Sequence, residues 1–173
     1  MRPELNQRLR EDYPEIFANK CEISCDDGWF NILNTLCGCI QNHIDARNRN
    51  LENNLKFNRM ADALAAGDNI LFLDYYGTMS PNFIQDRRAD ILAGQRREIW
   101  EPCDQVVAQQ IKEKFGTLRF YAEGGDAYTV GMTQMAESMS AVTCECCGAP
   151  GTTAGSGWIR TLCARHHEER SQS

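Results

Sequence analysis

Much of what would make this sequence easy to read is missing from it. No apolar run approaches the roughly 18 residues that cross a bilayer, so no membrane-spanning helix is expected. The first residues, MRPELNQRLREDYPEIF, are charged and hold no hydrophobic stretch. They do not read as a signal peptide, and a cytoplasmic location is the expectation. There is no Lys/Arg block and no basic tail. With 18 Lys and Arg against 24 Asp and Glu, the formal charge is −6, whereas a duplex-binding domain must supply cations to replace the counterions around phosphate. Binding to nucleic acid at large, or to an anionic membrane, is therefore disfavoured. An acidic surface suits solubility, a basic partner protein or imitation of a phosphate backbone. No G-x-S-x-G, P-loop or G-x-G-x-x-G turn is present. Internal repeats and long linkers are absent too, and 42% hydrophobic with 24% charged residues is a globular composition.

Cysteine is plentiful. The nine are Cys21, Cys25, Cys37, Cys39, Cys103, Cys144, Cys146, Cys147 and Cys163. An odd number without a secretory signal argues against a disulfide framework and makes metal ligation the leading use.

The apolar periodicity predicts an α+β fold: helices packed on a small antiparallel hairpin or sheet, with a treble-clef-like zinc knuckle at the C-terminus. Residues 1–142 would form the globular domain and 143–173 the zinc-binding appendage. Pro3 at a first helical position, with Leu5 and Leu9, suggests a short helix that Pro14 ends. Residues 17–28 look irregular. Asp26 or Asp27 could cap a helix carrying Trp29, Ile32, Leu33, Leu36, Ile40 and Ile44 on one stripe, with a weaker, Asn-rich continuation over 48–66. Ile70 to Tyr76, ILFLDYY, reads as a buried strand. Ser80-Pro81 and Gly94 bracket a helix over 81–93. Residues 106–122 suggest a β-hairpin turning at Gly116-Thr117, so that Phe115 faces Leu118 and Lys112 faces Tyr121. Ile111, Phe115, Leu118 and Phe120 would then be buried. Tyr128, Met132, Met135, Ala136 and Met139 form a helical stripe over 127–141, read as core rather than as a binding surface.

The constellation that carries chemistry is TCECCGAPGTTAGSGWIRTLCARHHEE. Cys144 and Cys147 are spaced C-x2-C, and Cys163 and His166 are spaced C-x2-H. Two such pairs can close a tetrahedral Zn2+ site. Gly148 suits a tight knuckle, 151–162 a short hairpin, and Cys163 the start of a final helix, where the positive dipole end favours thiolate. Cys146 could replace one knuckle ligand, and His167 could replace His166. Four protein ligands leave no open position, so the zinc would be structural. A second site at Cys21, Cys25, Cys37 and Cys39 matches no ordinary zinc spacing, and small buried hydrophobes explain Cys37 and Cys39 better.

Three function classes compete. TLCARHHEE looks like the closing segment of HNH-type endonucleases, but residues 148–162 contain no His to activate water, so a working nuclease is disfavoured and a degenerate one remains an alternative. Lys112, Lys114, Arg119 and Tyr121 share one strand face and suggest a nucleic-acid-associated zinc-finger protein, against the overall charge. A non-enzymatic interaction module is the third. The segments CDDGWFNILNTLCGCIQNHID, IKEKFGTLRFYAEGGDAY, MAESMSAVTCECCGAPG and GWIRTLCARHHEE together resemble a family of small proteins common in tailed phages, prophages and bacteria. That family carries a D-G-W before a long helix, a K-E-K-F-G-x-L-R-F-Y segment and a C-terminal Cys-x2-Cys with Cys-x2-His. The resemblance covers 21–60 and 106–167; Cys146 is a departure from it. It implies zinc on Cys144, Cys147, Cys163 and His166, and a phage or prophage origin. Small acidic phage proteins often bind and block a host protein, such as a defence effector. By that analogy the expectation is an accessory protein, not an enzyme, whose partner is a host or phage protein.

Overall fold

The computed structural model describes residues 1–155 and 157–172, in which six helices and two small sheets are joined by loops. The architecture is α+β, as the periodicity suggests. Among the described residues no helix is long and apolar enough to cross a membrane. The chain divides into two units, Met1–Asp45 with Cys103–Ser173, and Ala46–Pro102. The boundary expected between 142 and 143 does not coincide with this division, because the C-terminal stretch belongs to the first unit.

In the first unit, helix α1 (Pro3–Asp12) opens on its proline and stops before Pro14. A 3-10 turn, Asp27–Trp29, leads into helix α2 (Phe30–Ala65). Leu33, Leu36, Cys37, Ile40 and Ile44 are buried along α2 at three- and four-residue steps. They join Leu9, Ile16 and Trp29 in the main core. The Asn-rich stretch continues the same helix without a break. Neither expected aspartate cap forms. Asp26 makes no side-chain cap, and Asp27 instead accepts bonds from the backbone and the guanidinium of Arg2.

The first sheet is mixed, not purely antiparallel. Strand β1 (Ile23–Ser24), within the stretch read as irregular, pairs parallel to β2 (Asp104–Lys114), and β2 pairs antiparallel to β3 (Thr117–Gly125). The hairpin turns one residue earlier than expected, at Phe115-Gly116, both with positive φ (55° and 79°). Lys114 therefore pairs with Thr117, and Lys112 with Arg119. Moving the turn by one shifts every pairing by two, so the faces are kept. Ile111, Leu118 and Phe120 are buried as expected, while Phe115, at the turn, is 68% exposed. Glu113, paired with Leu118, bends back to accept a bond from the Gly116 amide at 2.6 Å.

Helix α5 (Ala127–Ser140) covers the free edge of β3. Ser140 Oγ and Glu137 Oε1 accept bonds from the Leu118 and Phe120 amides at 2.8 and 3.0 Å, which closes an edge that would otherwise pair with another chain. Using α5 this way rotates its methionines outward. Thr129, Ala136 and Ser140 are its buried residues. Of the stripe, Ala136 is buried and Met132 packs on the core, while Tyr128, Met135 and Met139 are exposed, so only part of it is the core face it was read to be.

The second unit contains the later half of α2, α3 (Ile70–Tyr76) and α4 (Pro81–Ala93). ILFLDYY is thus a helix, not a strand; a seven-residue apolar run has no periodicity that separates the two. Phe72 is its buried residue, with Met60, Ala61, Leu64 and Ile91. Ser80 caps α4 as expected, accepting from the Phe83 amide.

Candidate metal centre

The C-terminal stretch runs in the order knuckle, hairpin, helix. Gly148 takes positive φ (77°), and its amide donates to Cys144 O at 2.8 Å, which closes a tight turn around Cys144 to Cys147. Strands β4 (Thr152–Ala154) and β5 (Arg160–Leu162) form the hairpin. Cys163 is the N-cap residue of α6 (Ala164–Ser171).

This path brings Cys144, Cys147, Cys163 and His166 together, with ligand atoms all within 4.8 Å of one another. Cys147 Sγ lies 3.9 Å from Cys163 Sγ, and His166 Nδ1 lies 3.3 and 3.1 Å from the sulfurs of Cys144 and Cys163. None of the three cysteines is in a disulfide, so the group can hold a metal ion. Backbone amides prepare it. The His166 amide lowers the Cys163 thiol below its ordinary value, as a helix start does. Burial pushes Cys144 up, but the amides of Cys163, Cys147 and Cys146 outweigh it and lower the thiol. The Ala149 amide acts the same way on Cys147, but burial and the neighbouring sulfurs prevail and raise it. Three sulfurs at this separation resist ionising together unless a cation sits among them.

The two open alternatives point elsewhere. Cys146 Sγ faces Asp26 Oδ2 at 3.8 Å, and burial pushes its thiol up to about 11. His167 Nε2 bonds to Thr152 O at 3.1 Å. Of the earlier cysteines, Cys21, Cys25 and Cys37 are buried as small hydrophobes, while Cys39, read the same way, is exposed. Among the described residues they form no cluster of metal-binding geometry.

The knuckle is built into the fold. Trp29, fully buried, donates from Nε1 to Thr143 O at 2.8 Å. The Gly28 amide donates to Glu145 O at 2.7 Å. A Cβ on Gly28 would meet Cys144 O at 2.2 Å and Gly148 N at 2.5 Å, so only glycine fits. The D-G-W motif is therefore the socket for the knuckle. Beside it, Arg160 joins hairpin, knuckle and the start of α2: it donates to Glu145 Oε2 at 3.0 and 2.8 Å and to Asp26 Oδ2 at 2.5 Å. Burial opposes its charge, but the two carboxylates outweigh this and raise its pKa. These partners lie 15 and 134 residues from Arg160, and no spacing in the sequence marks them.

Lys112, Lys114, Arg119 and Tyr121 do lie on one face of β2 and β3, but Arg119 is engaged. It donates to Leu118 O at 2.7 Å and lies 3.8 Å from Glu137 Oε2. A second group that the sequence does not reveal is His43, Cys103 and Asp126. His43 Nε2 sits 2.9 Å from Asp126 Oδ2. Asp126 also caps α5 by accepting from the amides of Tyr128 and Thr129. Burial pushes its carboxyl up, but His43 and the two amides outweigh it and hold it below the ordinary value.

No family model matches the chain, and neither a curated protein nor a solved structure matches it.

Proposed function

We propose that Cys144, Cys147, Cys163 and His166 hold a structural Zn2+ in a treble-clef-like arrangement, and that the chain is a non-enzymatic binding protein. The observation that carries this reading is the spacing of the four donors. In a tetrahedral site with Zn–S near 2.3 Å and Zn–N near 2.0 Å, sulfurs lie about 3.8 Å apart and sulfur and nitrogen about 3.6 Å. The quartet has 3.9 Å for the one and 3.3 and 3.1 Å for the other. Three thiolates and an imidazole suit zinc, and four protein donors fill its coordination, which leaves no place for a reacting water.

The partner is a protein of the host cell, as for phage or prophage accessory proteins that block a defence effector. Two features support a protein partner over nucleic acid. The chain is acidic, and the flank of α5 that exposes Tyr128, Met135 and Met139 offers the adaptable surface that methionine provides. Metal analysis of purified protein should find one zinc per chain, lost in Cys163→Ala. Pull-down from bacterial lysate should then retain a host protein with the native chain. Submicromolar binding of single- or double-stranded nucleic acid at about 0.15 M salt, or nuclease activity, would replace this reading with the nucleic-acid-associated one.

A further inference from the structure

The unit Ala46–Pro102 contains a cavity of a different chemical character. It measures about 280 Å3 and is lined by three cations, Lys56, Arg87 and Arg97, and by three aromatic rings, Phe57, Tyr75 and Tyr76, with no carboxylate in its wall. Each cation lies over a ring. Lys56 Nζ is 4.5 Å from the centre of Tyr75, Arg97 Cζ is 4.0 Å from Phe57, and Arg87 Cζ is 5.8 Å from Tyr76. Arg87 Nε also donates to the Tyr76 hydroxyl at 3.4 Å. Asp90, three residues along the same helix, acts on Arg87 but does not line the cavity. Among the described residues none of the three cations makes an ion pair.

In a chain of net charge −6, three unpaired cations around one cavity call for an anion. An aromatic face restrains a cation without neutralising it, so the donors are gathered before a ligand arrives and less entropy is lost on binding. Two guanidinium forks and an ammonium match the oxygens of a phosphate. Tyr75 is 54% exposed, with Lys56 over its ring and Tyr76 edge-to-face at 4.8 Å, and its exposed part is what a base would pack against. The volume, about 280 Å3, falls just below the roughly 300 Å3 at which ligand cavities usually begin, and so fits a monomer rather than a dinucleotide.

We propose that this cavity binds a nucleoside monophosphate, with the phosphate on Lys56, Arg87 and Arg97 and the base against Tyr75. The site is independent of the metal centre. Isothermal titration of the full chain with the four ribonucleoside monophosphates, with adenosine and with inorganic phosphate tests it. At least one monophosphate should bind, phosphate should bind about tenfold more weakly, and adenosine should give no heat. Lys56→Gln with Arg97→Gln, two exposed positions, should weaken the monophosphate at least about tenfold with an unchanged circular dichroism spectrum. Tyr75→Leu should bring its affinity down to that of phosphate. No heat from any monophosphate up to about 1 mM, phosphate binding as tightly as the best nucleotide, or undiminished binding by the double variant would each overturn the proposal.

Discussion

Cysteine is used in two opposite ways in the two ends of one unit. Between residues 21 and 37 it is a small apolar side chain: burial pushes Cys25 and Cys37 up to about 12, and the thiols stay protonated inside the main core. Between residues 144 and 163 amides are aimed at the sulfurs and lower two of the three. What decides the role is whether backbone N–H groups or aliphatic carbons surround the sulfur. Cys146 sits among the ligands in sequence and yet behaves like the core thiols, because burial prevails at its sulfur, which faces Asp26 instead of the quartet.

The comparison breaks hardest under chelation. Removing the metal should withdraw on the order of 10 kcal/mol of metal-linked folding free energy from the C-terminal stretch, read as a large fall in thermal stability with EDTA. Alkylation at pH 8 should sharpen the contrast: Cys39 and Cys147 are both exposed, yet only Cys39 should react in the native chain, and Cys147 should join it after chelation. Next in size is Gly28→Ala, whose Cβ would collide with the knuckle backbone. It should cost about 3 kcal/mol in urea denaturation.

These two effects differ in how far the sequence announces them. The metal quartet is legible because its ligands fall within one short stretch at recognisable spacings. The role of Gly28 is not, because its clash partners are more than a hundred residues away and only folding brings them together. Separations of 134 and 83 residues likewise hide Arg160 with Asp26 and His43 with Asp126. Local misreadings have local causes. The turn slipped by one residue because Phe115 adopts a positive φ that its residue type does not favour. The Met stripe was misplaced because the face of α5 is chosen by β3, whose open edge draws Ser140 and Glu137.

Smaller effects test the apolar role of the earlier cysteines. Cys37→Ser places a hydroxyl in a fully buried position and should cost about 2 kcal/mol, whereas Cys39→Ser should stay within about 0.5 kcal/mol. Asp126→Ala removes the cap of α5 and should cost about 1 kcal/mol. Because the folded-state carboxyl of Asp126 lies below its ordinary value, its ionised form stabilises the fold. That contribution is complete above the ordinary carboxylate range and fades as pH falls through the lowered value. The gap between the native chain and Asp126→Ala should therefore narrow in acid.

X-ray absorption at the zinc edge tests the central claim most directly. The expected first shell has three sulfurs near 2.3 Å and one nitrogen near 2.0 Å, with Cys163→Ala unable to retain the metal. A shell containing a water oxygen, or a chain that carries no zinc and melts at the same temperature with and without chelator, would contradict it.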